Sequence, residues 1–573
     1  MFDRKQKIWG ESVRNRRLVV SAALVAASVG LLPGTAQAAP AGPAAAGASS
    51  PAAGALDKAR AAGAPTFRSP ADRSVRTTAP AGMNKAAGAP AQSVEGNPGL
   101  AVGIEGVAYT AHGVVLQSTI TSEDLPLNVF IDWGDGKVET AYAQGAGTLE
   151  HTHSYAKLGE YKITVTVGDP ANGRVVANTI QFLTRGSDFT PHAPTRLLDT
   201  RTGTGSAAAK VAPRGTARVK VAGNAQVPAG VQAVVLNVTV TNTVADGHVT
   251  AFPGAGSERP ITSNLNYTAG QSVPNLVIVP VGTDGHVELF NGGWGSVDLI
   301  ADVTGYFTRS EASGYTSLTP VRAVDTREGL GAARGQVAGQ SAFDVQISGK
   351  NGVPAGITAV ALNMTVTNPR QDGHLSAYPS GQQAPITSNL NFTTGQTVAN
   401  AVIVPVGPDG KISIRNGAWA GADVVVDVVG YYSPAGKAAF TPFGPVRTID
   451  TRDPQSWYGE GPLPARGYIA QWFAPDSSTE GVEAFALNTT VTNTKEAGFL
   501  SVAPSPFPWL VNDQPDAPQP PRPTSSVLNW TAGRTVPNLV QASDGEHGII
   551  HYWNQGWKDV DLIVDLFGVY ETN

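Results

Sequence analysis

Three times along this 573-residue chain the triplet Asp-Thr-Arg opens a unit, at Asp199, Asp325 and Asp450, and three times an acidic, apolar stretch closes one. The closing stretch is Val297-Asp298-Leu299-Ile300-Ala301-Asp302-Val303-Thr304-Gly305-Tyr306; it returns from Ala422 to Tyr431 and from Val560 to Tyr570. A period of about 125 residues is too long for a solenoid turn and suits a whole small domain. The second half is therefore read as three copies of one module, spanning 187–309, 310–434 and 435–573.

The landmarks inside each copy agree. The runs Ala233–Asn242, Ala359–Asn368 and Ala484–Asn493 each end in Thr-Val-Thr-Asn, with a glycine turn after them at Gly247, Gly373 or Gly498. Ser263-Asn264-Leu265-Asn266 recurs as Ser388–Asn391 and as Ser526–Asn529, followed by Tyr267, Phe392 and Trp530. Asn291-x-x-Trp294, Asn416-x-x-Trp419 and Asn554-x-x-Trp557 lead into the closing stretch. Repeat three carries an extra Pro-rich loop, 504–523, bearing Phe507 and Trp509. Short alternating segments parted by Gly, Pro, Asn or Asp, with no helical periodicity, predict an all-β protein of tandem sandwich or jelly-roll-like modules. At this length each module can hold its own core, so beads on a string are expected, with one closed three-fold body as the alternative.

The closing stretch places two carboxylates, Asp298 and Asp302, on a strand with apolar neighbours on both faces, and Asp427 and Asp565 repeat the second. Burying them demands partners. Arg201, Arg327 and Arg452 of the opening triplets are the expected cations, tying first strand to last. Calcium held by Asp298, Asp302 and Asn291 is the competing arrangement, but the compact loop spacing of a dedicated site is missing. No cofactor and no metal are expected.

Before the repeats the chain changes character. Residues 1–38 read as an export signal: a basic stretch ending in Arg16-Arg17, an apolar run from Leu18 to Leu32, and Ala36-Gln37-Ala38 before a cut. The run is too short for a spanning helix, and the paired arginines hint at a twin-arginine route. Residues 39–98, rich in Ala, Pro and Gly, are expected to form a disordered tether. Up to residue 96 the chain carries twelve Lys/Arg against five Asp/Glu, although its net charge is -5, so the rest is mildly acidic. That balance argues against a nucleic-acid partner. Cysteine is absent, which removes disulfides, thiolate metal sites and thiol nucleophiles.

Between tether and repeats, 99–186, stand Trp133-Gly134-Asp135-Gly136, His153-Ser154-Tyr155 and the alternating strand Gly159-Glu160-Tyr161-Lys162-Ile163-Thr164-Val165-Thr166-Val167. This unit resembles a PKD domain, which implies an immunoglobulin-like sandwich serving as a spacer or a contact module and implies no chemistry. His151 and His153 share a strand face but lack a third ligand, and His153 belongs to the motif itself. The repeats are similar to tandem modules of secreted actinobacterial proteins, on the strength of Asp-Thr-Arg, Asn-x-Thr-Val-Thr-Asn, Ser-Asn-Leu-Asn and Gly-Tyr; no activity follows from that likeness. Repeat three departs at Ser526–Asn529 and at Gly568-Val569-Tyr570.

No Ser-His-Asp order, His-Glu-x-x-His or phosphate loop appears, and a carboxylate pair triplicated on a packed strand is a folding element, so no catalytic residue is assigned. Asn237, Asn266, Asn363, Asn391, Asn488 and Asn529 match glycosylation triplets but are expected to satisfy backbone groups at strand ends. Aromatics near turns can stack on sugar rings. Trp294, Trp419, Trp557, Trp530, Trp553 and Trp509 are the candidates for ligand contact, with Tyr552, Trp457 and Trp472 nearby in repeat three. A recurring Trp also plugs a core, and that role is favoured for the three shared tryptophans but less so for the extra ones. The expected protein is secreted or wall-associated, non-enzymatic, and contacts an extracellular glycan or cell-surface partner; a structural stalk is the alternative, and a polysaccharide hydrolase a more distant one.

Overall fold

The computed structural model describes residues 64–80, 97–124, 126–454, 461–473, 481–507 and 518–573, together with residues 56, 60 and 83 and the backbone of Arg16–Val19. The rest of the export segment, most of the Ala/Pro/Gly-rich stretch, Trp457 and Trp509 lie outside the described residues. The backbone of Arg16–Val19 runs parallel to Tyr468–Trp472. Strands dominate the described residues, and the chain divides into two compact units, one holding the three repeats and one the sandwich that precedes them.

Each repeat is a two-sheet antiparallel sandwich. In repeat one the first sheet orders Asp188–Asp199, Asp298–Thr308, Ala233–Thr241 and Val273–Pro280; the second orders Thr216–Lys220, His286–Asn291, Gly247–Pro253 and Leu265–Tyr267. Repeats two and three reproduce both orders. Val234, Leu236, Val238 and Val240 point between the two sheets with Val249, Leu289 and Leu299, forming the module's own core.

The opposite face of the first sheet is buried too, which is why all nine residues of Ala233–Thr241 are inaccessible. Ala233, Val235, Leu276 and Ile278 meet Ala359, Ala361 and Ile403 of repeat two and Ala484, Ala486 and Leu539 of repeat three in one shared cluster. The modules are therefore one closed three-fold body and not separate beads. Alanines on this face let three sheets approach, and six aromatic rings fill the space they leave. Phe189 of repeat one packs at a tilt against Tyr432 of repeat two at 4.1 Å, Tyr315 of repeat two against Tyr570 of repeat three at 4.4 Å, and Phe440 of repeat three against Phe307 of repeat one at 4.7 Å. Glycine is required in each closing strand because a Cβ at Gly305, Gly430 or Gly568 would enter the ring of Phe189, Tyr315 or Phe440. Where Ile278 and Ile403 stand in the first two repeats, the third has Gln541, whose amide donates to both Tyr432 and Tyr570 hydroxyls at 2.8 Å. Two buried phenols that lack counterparts in repeat one are satisfied in this way.

A ring of asparagines closes the body in the same cyclic order. Asn237 donates to the Ser388 carbonyl (2.6 Å), Asn363 to that of Ser526, and Asn488 to that of Ser263 (2.9 Å). Asn275, Asn400 and Asn538 each donate to the side-chain oxygen of Asn488, Asn237 and Asn363, respectively. Three of the glycosylation triplets thus hold their asparagine inside the contact between modules.

The preceding unit is a two-sheet sandwich around Trp133, Tyr155, Ile163, Val165 and Phe182. Its boundary lies earlier than composition suggests, since Thr66–Ser69 pairs with Ala101–Ala108 and Val75–Arg76 with Arg174–Leu183. Asn178 anchors this stretch, donating to the carbonyls of Ser69, Pro70 and Val102 and accepting from Ser69. His153 stacks on Trp133 at 4.7 Å and bonds Asp135 at 2.9 Å, and Tyr155 donates to the Trp133 carbonyl at 3.0 Å. His151 bonds Glu139 at 2.8 Å. Both histidines are thus committed to structural contacts.

Candidate functional site

The acidic strand is a fastening, but its cation differs from the expected one. Arg201 does not reach Asp302; it folds back on Asp199 of its own triplet at 2.9 and 2.7 Å. Asp302 is held by Arg196, at 2.9 Å, and the same guanidinium reaches Asp199 at 3.0 Å. Arg322 bridges Asp427 and Asp325, and Arg447 bridges Asp565 and Asp450, in the same way. Likewise Arg327 and Arg452 turn back to Asp325 and Asp450. The register explains the choice: Arg322 stands directly opposite Asp427 across the opening and closing strands, whereas the triplet arginine lies past the strand end. Burial pushes the carboxyls of Asp302, Asp427 and Asp565 up, with Arg196, Arg322 and Arg447 pulling the other way. Hydrogen bonds from Arg201 hold Asp199 below the ordinary carboxylate range.

Asp298 serves a second clasp. It accepts from the Thr200 hydroxyl at 2.9 Å and from Asn242 at 2.8 Å, and Asp423 and Asp561 repeat the pattern. Asn242, Asn368 and Asn493 sit at φ 51°, 48° and 54°, a conformation asparagine tolerates better than most residues. With Asp298 and Asp302 so engaged and Asn291 bonded within its own turn, the oxygens invoked for calcium are already in use. Among the described residues, no three His, Asp or Glu side chains gather as a metal set.

The tryptophans reverse the expectation. Trp294, Trp419 and Trp557, the shared set, are 81%, 80% and 72% exposed; Trp530 and Trp553, the extra ones, are 4% exposed. Trp530 occupies the core position of Tyr267 and Phe392. Trp553 is covered by Tyr468 at 4.4 Å and by Arg522, delivered by the Pro-rich loop, at 4.9 Å. Tyr552 is also buried, donating to Gln471 at 2.7 Å.

Each exposed tryptophan rides a turn built by a fully buried asparagine. Asn291 accepts from the Gly293 amide at 3.0 Å and donates to the Gly295 carbonyl at 2.9 Å, which closes the loop around Trp294. Asn416 and Asn554 make the same two bonds around Trp419 and Trp557. A second strut comes from Arg214 and Arg466, which donate to the carbonyls of Gly292 and Gln555 and lie 5.7 and 5.0 Å from the Trp294 and Trp557 rings. Gln340 takes this place in repeat two, donating to the Gly417 carbonyl and accepting from Arg415 at 2.6 Å. An indole held outward by a fixed turn loses little side-chain entropy when a flat apolar ring stacks on it. Sequence reasoning missed Arg196, Arg322 and Arg447, which recur three residues before each Asp-Thr-Arg, and the Arg214, Gln340 and Arg466 struts.

The chain matches no protein-family model and no curated protein sequence. Solved structures similar to it include a chain from "Life in the extremes: atomic structure of Sulfolobus Turreted Icosahedral Virus", at 10% identity and TM-score 0.15, covering 71% of this chain and 91% of that one. Another comes from "The Triple Jelly Roll Fold and Turret Assembly in an Archaeal Virus", at 10% identity and TM-score 0.14, covering 67% and 90%. A third belongs to carbohydrate-binding modules of the β-sandwich superfamily, at 14% identity and TM-score 0.13, covering 35% and 91%. TM-scores this low carry no argument about function.

Proposed function

We propose that this chain is an exported, non-enzymatic binding protein whose three-repeat body contacts an extracellular glycan or cell-surface partner through Trp294, Trp419 and Trp557. The observation that carries the reading is the recurrence of one exposed indole on one asparagine-braced turn in every module. A packing role would bury the ring. Three weak sites on one closed body gain avidity against a repetitive polymer, roughly 10²-fold or more over a single site when the spacing matches. The closing-strand carboxylates, committed to Arg196, Arg322 and Arg447, are poorly placed for acid–base work, so hydrolysis is disfavoured. The preceding sandwich, with its PKD-like motifs, would then act as a spacer, and the signal and tether as export and reach.

The test is retention of the mature protein on insoluble chitin, cellulose and peptidoglycan. Retention should be lost in a W294A/W419A/W557A variant and reduced by more than a third in each single variant. Retention on none of the polymers would favour the stalk, and turnover abolished by Asp302→Ala and Asp427→Ala would favour a hydrolase.

A further inference from the structure

In repeat three two arginines meet at the tryptophan turn. Arg466 lies 5.0 Å from the exposed Trp557 ring, and Arg522 lies 4.9 Å from the buried Trp553 ring. Both guanidiniums converge on the side-chain oxygen of Gln555, donating to it at 3.3 and 3.0 Å. Gln555 is buried, and its amide donates to the Ser501 hydroxyl and the Pro523 carbonyl, so that oxygen is fixed. Repeats one and two have Gly292 and Gly417 at this position. Arg466 is also held at φ 55°, a left-handed conformation that strains a residue bearing a Cβ.

Two like charges gathered on one neutral oxygen repel each other, and no carboxylate offsets them. Among the described residues neither arginine forms an ion pair; their partners are Gln555 and, for Arg522, the Arg466 carbonyl. The acids of this turn are engaged elsewhere: Asp559 accepts from the Ala465 amide at 2.8 Å, and Glu496 pairs with Lys558 at 3.7 Å. Burial and the charge of Arg466 lower the pKa of the Arg522 guanidinium, with no acid acting the other way. Arg522 is exposed and Arg466 half-buried, so both can be reached from solvent. Repeat one keeps a looser pair, Arg214 and Arg259, 4.9 and 4.0 Å from Phe290, neither of them ion-paired among the described residues.

Building on the tryptophan contact proposed above, we propose that Arg466 and Arg522 form a twin-guanidinium receptor for the carboxylate or phosphate groups of an acidic glycan, a sugar ring of which lies on Trp557. A planar guanidinium matches two oxygens of either anion, a pair held in advance loses little freedom on binding, and the anion relieves the repulsion within the pair.

Surface plasmon resonance of the mature protein over immobilised polygalacturonate, poly(glycerol phosphate) and neutral dextran tests it. The polyanion that binds identifies the anionic group. Arg522→Met keeps the stem over Trp553 and removes the charge, and Arg466→Gln borrows the residue that repeat two uses as Gln340. The expected result is salt-sensitive binding to at least one polyanion, weakened roughly tenfold or more by R522M and by R466Q, with R522K losing less than R522M. W557A should weaken the same binding. Equal polyanion affinity in R522M and the unaltered protein, or equal losses in R522K and R522M, would overturn the proposal. Retention on chitin or cellulose with no binding to either polyanion would also overturn it, while leaving the tryptophan contact itself standing.

Discussion

Replacing Arg196 with methionine should damage this protein far more than replacing Arg201, although only the second belongs to the repeating triplet. Arg196 holds Asp302, whose side chain is 2% exposed, whereas Arg201 is 41% exposed and shares Asp199 with Arg196. Removing one partner of a buried ion pair leaves a desolvated charge and costs about 3–5 kcal/mol. Removing the exposed arginine costs about 0–1 kcal/mol, because Asp199 keeps its other partner and solvent screens what is lost. Urea unfolding followed by tryptophan fluorescence at neutral pH reads both values. A pH series adds a signature. Asp302 has a raised folded pKa, so its contribution to stability is fully present below the unfolded value and is lost as pH rises through the folded one. Without Arg196 that loss grows, so the R196M deficit should shrink on acidification from neutral pH as Asp302 takes up its proton. R196M combined with Asp302→Leu should recover most of the stability. Equal costs for R196M and R201M, or an R196M deficit that does not ease in acid, would refute the reasoning.

Gly430→Ala should cost about 1–3 kcal/mol or more by driving a methyl group into the Tyr315 ring, read as a lowered urea midpoint. Burial holds His551 at about 4, below its ordinary 6.5, so the unfolded chain binds this proton first as pH falls. Stability from His551 is therefore present above pH 6.5 and declines toward pH 4, by on the order of 3 kcal/mol, and His551→Gln should flatten that decline in a thermal-melt pH series.

The all-β class and the three-fold repeat could be read directly, because Asp-Thr-Arg, Thr-Val-Thr-Asn and the closing strand recur in fixed order. Closure was less legible. Its trace is the run Ala233–Thr241, where both alternating sets are apolar or uncharged, as in a sheet covered on two sides. One sandwich needs only one such face, yet a strand cannot say which neighbour covers the other. The tryptophans misled because residue type favours burial; the glycines flanking Trp294 mark a loop tip and were the better guide. Arg196 was hidden by the more conspicuous triplet, since spacing along the chain does not reveal which arginine stands opposite Asp302 until the register is known. Strands at Thr66–Ser69 and Val75–Arg76 escaped notice because their surroundings are compositionally poor, and their order depends on the distant Asn178.

Closure of the three repeats into one body is most directly tested by small-angle X-ray scattering from residues 187–573, which correspond to one compact unit. A closed body of this length has a radius of gyration of about 21 Å. Three independent modules strung in series would give roughly 30 Å or more, and that value would contradict the shared core.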